Sequence, residues 1–252
     1  MNDFNVKFGI IGIDHRHVYT QAQFLVELGA ELVGWYTEGS PTTLGGFTKR
    51  FPKAKRFTDP RSLLEDPDIR VILTSAVPND RAKISISAMK HGKDVMSDKP
   101  GCLSFDDLEE LRQTVQQTGR IWSVDFSERF EVPAVTLASQ LVSDGAIGDV
   151  IHTLGLGPHR LNPGSRPNWF FDPNQNGGIL ADIGSHQIDQ FLFFTKSESA
   201  EITLASIRNM GHQEFANFSD FGEIALRSEK ANGYIRLDWF TPDALPTWGD
   251  GR

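Results

Sequence analysis

Between Gly177 and Asp189 the chain reads Gly-Gly-Ile-Leu-Ala-Asp-Ile-Gly-Ser-His-Gln-Ile-Asp. Taken as one helix, steps of four and then three residues put Asp182, His186 and Asp189 on a single face. A carboxylate one turn from an imidazole can move a proton, because His titrates near a free pKa of about 6.5 and the carboxylate orients the ring and favours its protonated form. The same stripe would also serve as the solvated side of a helix whose other face, Ile179, Ile183, Ile188, Phe191 and Leu192, packs a core. Gly184 speaks for a close contact, since Gly inside a helix costs about 1 kcal/mol relative to Ala.

A second group of polar residues follows the apolar run Val6–Ile13, which is broken by Gly9 and Gly12. The next residues are Gly12-Ile13-Asp14-His15-Arg16-His17. A Gly-x-Gly-x-x-Gly loop here would cradle a pyrophosphate, because glycines admit the backbone and a helix N-terminus attracts the anion. Only the first glycine of that fingerprint is present. Asp14 would repel a phosphate, and His15 and Arg16 would offset it. Thr37 stands where an acidic residue would hold a ribose hydroxyl and Glu38 follows, which leaves NAD and NADP both open. His15 and His17 also read as paired metal ligands at a strand end, to be completed by Asp182, His152 or His212 in a metal-dependent hydrolase. The later His and Asp that such a site requires are missing at matching positions, so no metal is expected. Further along, Asp98-Lys99-Pro100 closes a short strand, and Pro100 restricts the backbone before it and so fixes where Lys99 points.

The elements that position these groups alternate. Helix is predicted at His15–Leu28, Asp80–His91 and Phe105–Thr118, with a helical turn at Ser62–Glu65. Strand is predicted at Val6–Ile13, Glu31–Tyr36, Arg70–Ala76, Asp94–Ser97 and Ile121–Val124. Strands separated by helices imply right-handed crossovers and a parallel sheet. Ligands of such sheets sit beyond the carboxyl ends of the strands, which singles out the loops after Ile11, Tyr36, Ala76 and Ser97. From Asp125 the pattern changes: a helix at Pro133–Val142, strands at Asp149–Gly157, Glu201–Ile207, Phe221–Arg227 and Gly233–Trp239, and a loop over Pro158–Asp172. That loop carries His159, Arg160, Arg166, Trp169, Phe170 and Phe171, a mixture suited either to a hydroxylated or carboxylated ligand or to packing a lid.

Composition narrows the partners. With 25 Lys and Arg against 33 Asp and Glu, the 252-residue chain carries a formal charge of -8 and gathers no basic patch, so nucleic acid is not an expected partner and small molecules are. Cys102 is the single cysteine, so no internal disulfide forms, in keeping with a reducing, cytoplasmic setting. Met1–Lys7 lacks the pattern of a secretion leader, and no window approaches the roughly 20 apolar residues that span a bilayer, so no membrane association is expected.

With Gly9-Ile10-Ile11-Gly12, Ala76-Val77-Pro78-Asn79, His91-Gly92-Lys93-Asp94-Val95, Asp98-Lys99-Pro100, Gly145-Ala146-Ile147-Gly148 and Gly177-Gly178 through His186, the chain resembles, over essentially its whole length, the glucose-fructose oxidoreductase, inositol dehydrogenase and rhizopine-catabolism (Gfo/Idh/MocA) family. The resemblance implies an α/β fold: an N-terminal Rossmann domain with a doubly wound parallel sheet, residues 1–124, and a C-terminal α+β domain, residues 125–252, with an open and mainly antiparallel sheet. It implies hydride transfer between NAD or NADP and a hydroxyl-bearing carbon of a sugar, cyclitol or related polyol. Lys99, Asp182 and His186 then correspond to the family's catalytic lysine, helix aspartate and helix histidine. The cofactor would lie against Gly9, Gly12, Ile13, Asp14, His15, Thr37, Glu38, Ala76, Pro78, Asn79, Asp98 and Lys99. His159, Arg160 and Trp169 would join Asp182 and His186 on the substrate side. The chain departs from the family at Asp98, commonly Glu, at Asp14 and His17, where fingerprint glycines stand, and at Asp80-Arg81-Ala82, where histidines are frequent. It also stops well before family chains do, as a fragment would, or as a protein whose partner subunits cover the gap in a homo-oligomer. The eroded glycine loop keeps a second reading open, a non-catalytic ligand-binding regulator on the same fold.

Overall fold

The computed structural model describes residues 6–246. The chain divides into two compact units, Met1–Asp125 and Phe126–Arg252. In the first, strands β1 (Lys7–Ile11), β2 (Glu31–Tyr36), β3 (Lys55–Arg56), β4 (Ile69–Thr74), β5 (Asp94–Asp98) and β6 (Trp122–Asp125) alternate with helices α1 (Val18–Glu27), α2 (Leu44–Arg50), α3 (Arg61–Leu64), α4 (Pro78–Lys90) and α5 (Phe105–Thr118). All pairings are parallel, in the order β3-β2-β1-β4-β5-β6. This is the doubly wound order, in which the chain reverses its direction of travel between β1 and β4 and opens a crevice beyond their carboxyl ends.

Successive strand residues enter opposite faces, and each face is sealed by its own apolar cluster. Phe8, Ile10, Trp35, Phe47 and Leu73 pack on one side. Ile11, Leu63, Ile72, Met89 and Leu111 pack on the other. Burying each such side chain contributes about 1.5–3 kcal/mol, which fixes the register of the strands and hence the position of their end loops. α5 is set by its termini: Ser104 accepts from the Asp107 amide at 3.0 Å, and Asp106 and Asp107 fill the first turn.

The second unit contains α6 (Ser127–Phe130), α7 (Pro133–Ser143), β7 (His152–Pro158), α8 (Pro173–Asn176), α9 (Gly178–Asp182), α10 (Gly184–Thr195), β8 (Glu201–Arg208), β9 (Phe221–Arg227) and β10 (Asn232–Asp238). Its sheet runs β7-β10-β9-β8, antiparallel except for the parallel pair β7 and β10. Ile224, Leu226, Ile235 and Leu237 alternate onto the face covered by Ile179, Ile183 and Phe191. A Cβ on Gly184 would lie 3.1 Å from Leu237 and 3.3 Å from Ile224, so the close approach expected of this glycine is met by the sheet beneath it.

The structure departs from the sequence expectations in several places. The single helix expected over Gly177–Asp189 is broken at Ile183. There the Ile183 amide still bonds Ile179, but the His186 amide bonds Ile183, so one tight three-residue turn shifts the ladder between α9 and α10. α1 begins at Val18, not at His15, because the His15 and His17 side chains are bonded elsewhere. α2 and the two-residue β3 were not anticipated: Leu-Gly-Gly-Phe carries no helical apolar period, and its helix is held by Phe47 reaching the core. No helix among the described residues is long and apolar enough to cross a membrane.

Candidate active site

In the first unit the candidate residues gather at the carboxyl ends of β1, β2, β4 and β5. Gly12 leaves β1 with φ +83°, its amide bonded to Tyr36 at 2.8 Å and its carbonyl to the Ser75 amide at 3.1 Å. A Cβ there would lie 2.4 Å from that of Ala76, so only glycine permits the loops after β1 and β4 to touch. His15 extends this contact by donating its amide to Ser75 at 2.8 Å.

Behind the loop lies Asp98, fully buried at the end of β5. Its two carboxylate oxygens face His15 Nδ1 and His17 Nδ1, each at 2.8 Å. Arg81 donates to it at 3.0 Å, the Lys99 amide at 2.9 Å and Gln21 at 3.3 Å. Desolvation alone would raise the Asp98 pKa, but the Arg81 guanidinium and the two imidazoles hold it well below the usual carboxylate range. Arg81, also fully buried, donates to the carbonyls of Ala76, Lys99 and Pro100 and so ties the β4 and β5 loops together. Gln21 bridges Ser75, Asp98 and Asp125 at the ends of three strands. Lys99 is buried and precedes a cis peptide bond to Pro100.

His15, His17 and Asp98 place potential ligand atoms within 4.8 Å of one another. The oxygens of Asp98 already carry two imidazoles, a guanidinium, an amide and a carboxamide, and a cation there would lie beside Arg81. The donor set therefore suits a hydrogen-bonded carboxylate and not a metal. Of the other ligands considered, His212 pairs its Nδ1 with Asp220 at 2.9 Å.

A dinucleotide fits better. Thr37, buried at the carboxyl end of β2, keeps an Oγ1 with no hydrogen-bond partner among the described residues, as a ribose hydroxyl or adenine nitrogen would need. Glu38 follows it, exposed. Gly12 provides the close backbone approach, and Pro78-Asn79 open α4 beside it. Asp14 is the misfit. Burial, with Asp80 and Glu38 adding to it, pushes its pKa up to about 6 against the opposing pull of its own backbone hydrogen bond and Arg81.

In the second unit His186 is buried in the first turn of α10, its ring 6.2 Å from that of Phe126. Asp182 ends α9, and the turn at Ile183 separates the two. Asp189 leaves the predicted trio: it forms a bidentate pair with Arg129 at 2.5 and 2.8 Å, and Arg129 stacks over Phe130 and Phe193. His159 is buried with Nδ1 3.0 Å from the Gly157 carbonyl and Nε2 3.9 Å from Glu128, whose carboxylate also takes Gln187 and Gln190. Arg160 donates to the Leu245 carbonyl at 2.5 Å, Arg166 bonds Leu161 and Arg160 and stacks on Phe170 and Trp239, and Trp169 packs against the core. These bonds make Arg160, Arg166 and Trp169 part of the framework of their loop.

Sequence reasoning met Arg81 only as a departure from the family pattern and passed over Gln21 and Glu128. A lone Arg in the first turn of α4, against the helix dipole, was the available signal for Arg81. Gln21 and Glu128 carried none.

Residues 6–126 match a family model described as an oxidoreductase family with an NAD-binding Rossmann fold, and residues 135–248 match the GFO/IDH/MocA C-terminal domain. A protein of Erwinia carotovora atroseptica SCRI1043, known from a crystal structure, superposes with a TM-score of 0.94 at 40% identity, over 98% of this chain and 74% of that one. The chain belongs to the Gfo/Idh/MocA family. Within the family it is 31% identical over 65% of its length to the levoglucosan dehydrogenase of Pseudarthrobacter phenanthrenivorans, of which it covers 42%. It is 29% identical over 71% of its length to the scyllo-inositol 2-dehydrogenase (NAD(+)) of Bacillus subtilis, of which it covers 48%. The chain thus spans about half the length of these Gfo/Idh/MocA relatives.

Proposed function

We propose that the chain is an NAD(P)-dependent oxidoreductase that transfers hydride between a nicotinamide and a hydroxyl-bearing carbon of a sugar, cyclitol or related polyol. The observation that carries this reading is the convergence of Gly12, Thr37, Asn79 and Asp98-Lys99 at the carboxyl ends of β1, β2, β4 and β5, where a doubly wound sheet binds dinucleotides. The family's dehydrogenases support the substrate class: two relatives are named for levoglucosan and scyllo-inositol.

When bound, a nicotinamide supplies the hydride acceptor for alcohol oxidation and the donor for the reverse. Lys99 Nζ donates to the reacting oxygen and stabilises the charge that builds there. The His186 imidazole takes the hydroxyl proton, and Asp182 orients its partners. His159, with Nδ1 held by Gly157 and Nε2 beside Glu128, offers a polar edge to a further hydroxyl. Copies of the chain associate as a homo-oligomer through the second sheet.

Lys99→Ala is expected to keep NADH binding, read by nicotinamide fluorescence, while turnover across a panel of sugars and cyclitols falls by about 10²–10⁴-fold. Undiminished turnover would remove Lys99 from the chemistry. Cofactor binding by the parent with no turnover of any panel member would favour the regulator.

A further inference from the structure

We propose that Arg81 is a positioning residue for Lys99: one buried guanidinium fixes where the lysine side chain leaves the loop after β5 and keeps that loop in register with the loop after β4. The inference rests on the NAD(P)-dependent reading above, in which Lys99 acts on the reacting oxygen and Ala76, Pro78 and Asn79 meet the cofactor. Arg81 is fully buried and works through backbone groups. Its Nε donates to the Ala76 carbonyl at 2.8 Å, its Nη1 to the Lys99 carbonyl and to the Pro100 carbonyl at 3.2 Å, and its Nη2 to the Asp98 carboxylate at 3.0 Å. The other Asp98 oxygen accepts the Lys99 amide at 2.9 Å. The peptide groups on both sides of Lys99 are thereby held, which sets the direction of its Cα–Cβ bond.

A residue that served only to fill this interior would be apolar. A buried charge is costly unless it is paired and fully hydrogen-bonded, and this one also stands in the first turn of α4, against the helix dipole. Both penalties are met by a planar fork that reaches acceptors in several fixed directions at once. An ammonium would neutralise Asp98 equally well, but a point charge on a flexible stem cannot hold Ala76 and Pro100 together in set directions. What the guanidinium supplies beyond charge is therefore geometry. Lys99 has a long stem, so a shift at its base is carried to Nζ, and a misplacement of about 1 Å at reacting atoms can cost about 10² in rate. The same fork reaches further into the site. Ala76 is the residue against which Gly12 packs, so the register set by Arg81 extends to the loop after β1. Gln21, bonded to Ser75, Asp98 and Asp125, backs the strand ends from the other side.

The test is a double-mutant cycle on turnover in the whole chain, with NADH binding read by fluorescence in every variant. Arg81→Lys retains the charge against Asp98 and loses the fork. With the panel of sugars and cyclitols, it is expected to lower kcat about 10²-fold while NADH affinity stays within about threefold of the parent. Introduced into Lys99→Ala, the same change should lower the residual kcat by less than about threefold, since the side chain it positions is already gone. Should Arg81→Lys fail to fold, Arg81→Met combined with Asp98→Asn removes both charges together, leaves no lone ion buried, and enters the same cycle. Losses that multiply in the combined variant overturn the positioning role, as does an undiminished kcat in Arg81→Lys. A loss of NADH affinity as large as the loss of kcat also overturns it, because Arg81 would then support the cofactor loops alone. A parent with no turnover of any panel member, or a Lys99→Ala variant as active as the parent, overturns the proposed function and this inference with it.

Discussion

Asp14 shows how one side chain can weaken a fold to shape a site. Its pKa of about 6 in the folded chain lies above the ordinary 3.8. Between those values the folded chain holds more proton than the unfolded one, so stability falls as pH rises through the window, and above pH 6 the full loss is in place. His15 runs the other way. With about 4 in place of 6.5, the unfolded chain holds the extra proton and stability falls as pH drops from 6.5 to 4. The two slopes oppose each other between pH 4 and 6, and single variants separate them. Asp14→Asn is expected to raise the urea midpoint at pH 7.5 by an amount worth on the order of 1 kcal/mol, discounted for partial exposure, and to give no gain at pH 3.5. Equal midpoints at pH 7.5 would mean that the loop solvates the carboxylate fully. In the sequence Asp14 was visible as a departure from a glycine fingerprint. Its burial, and the nearness of Asp80 and Glu38, come from the packing of three strand ends and have no local signature.

At the scale of elements, the alternating half was legible because period and spacing act locally: β1, β2, β4, β5 and β6 and the helices α1, α4 and α5 all overlap the segments expected, with α1 starting only at Val18. The position of Lys99 was legible for the same reason, since Asp98-Lys99-Pro100 closes a strand, whereas its candidate role came from the family resemblance. The second half was read less well. The α9–α10 break depends on one shifted hydrogen bond, and Asp189 was assigned to the proton-transfer face because Arg129, its actual partner, lies far away in sequence. Asp189→Asn is therefore expected to lower stability by about 1–3 kcal/mol, by thermal or urea unfolding, as half of a bidentate pair is lost. Turnover per folded molecule should persist, and its collapse would restore Asp189 to the chemistry. Gly12 is the sharper element-level case. Gly12→Ala forces a side chain at φ +83° against Ala76, which should cost about 2–4 kcal/mol from backbone strain and overpacking together and abolish NADH fluorescence enhancement. Unaltered binding would show that the loops after β1 and β4 need not touch.

At the scale of the whole molecule, each unit closes its own apolar cluster, but the second sheet does not cover its outer strands. β8 is an edge strand exposed along almost its full length, with Ile202, Leu204 and Ile207 each about half accessible. β7, the opposite edge, exposes Leu154 and Leu156. Unpaired amides and carbonyls beside apolar side chains form a template for a further strand or a second sheet, and proteins that remain monomeric usually blunt such edges with charge, Pro or a bulge. Here the bulge lies between Ile202 and Leu204, and Glu201 and Arg227 pair with each other, which leaves the apolar stretch of the strand unprotected. Light scattering coupled to size exclusion should therefore report a mass above that of one chain, rising with concentration. Leu204→Lys combined with Ile207→Lys should return the monomer. NADH affinity should not change in that double variant, because the cofactor residues proposed above all lie in the first unit. A monomeric parent at every concentration would mean that the β8 edge is tolerated in water. A double variant that also loses NADH binding would mean that assembly of the second sheet supports the dinucleotide loops, and the two units could not then be treated as energetically separate.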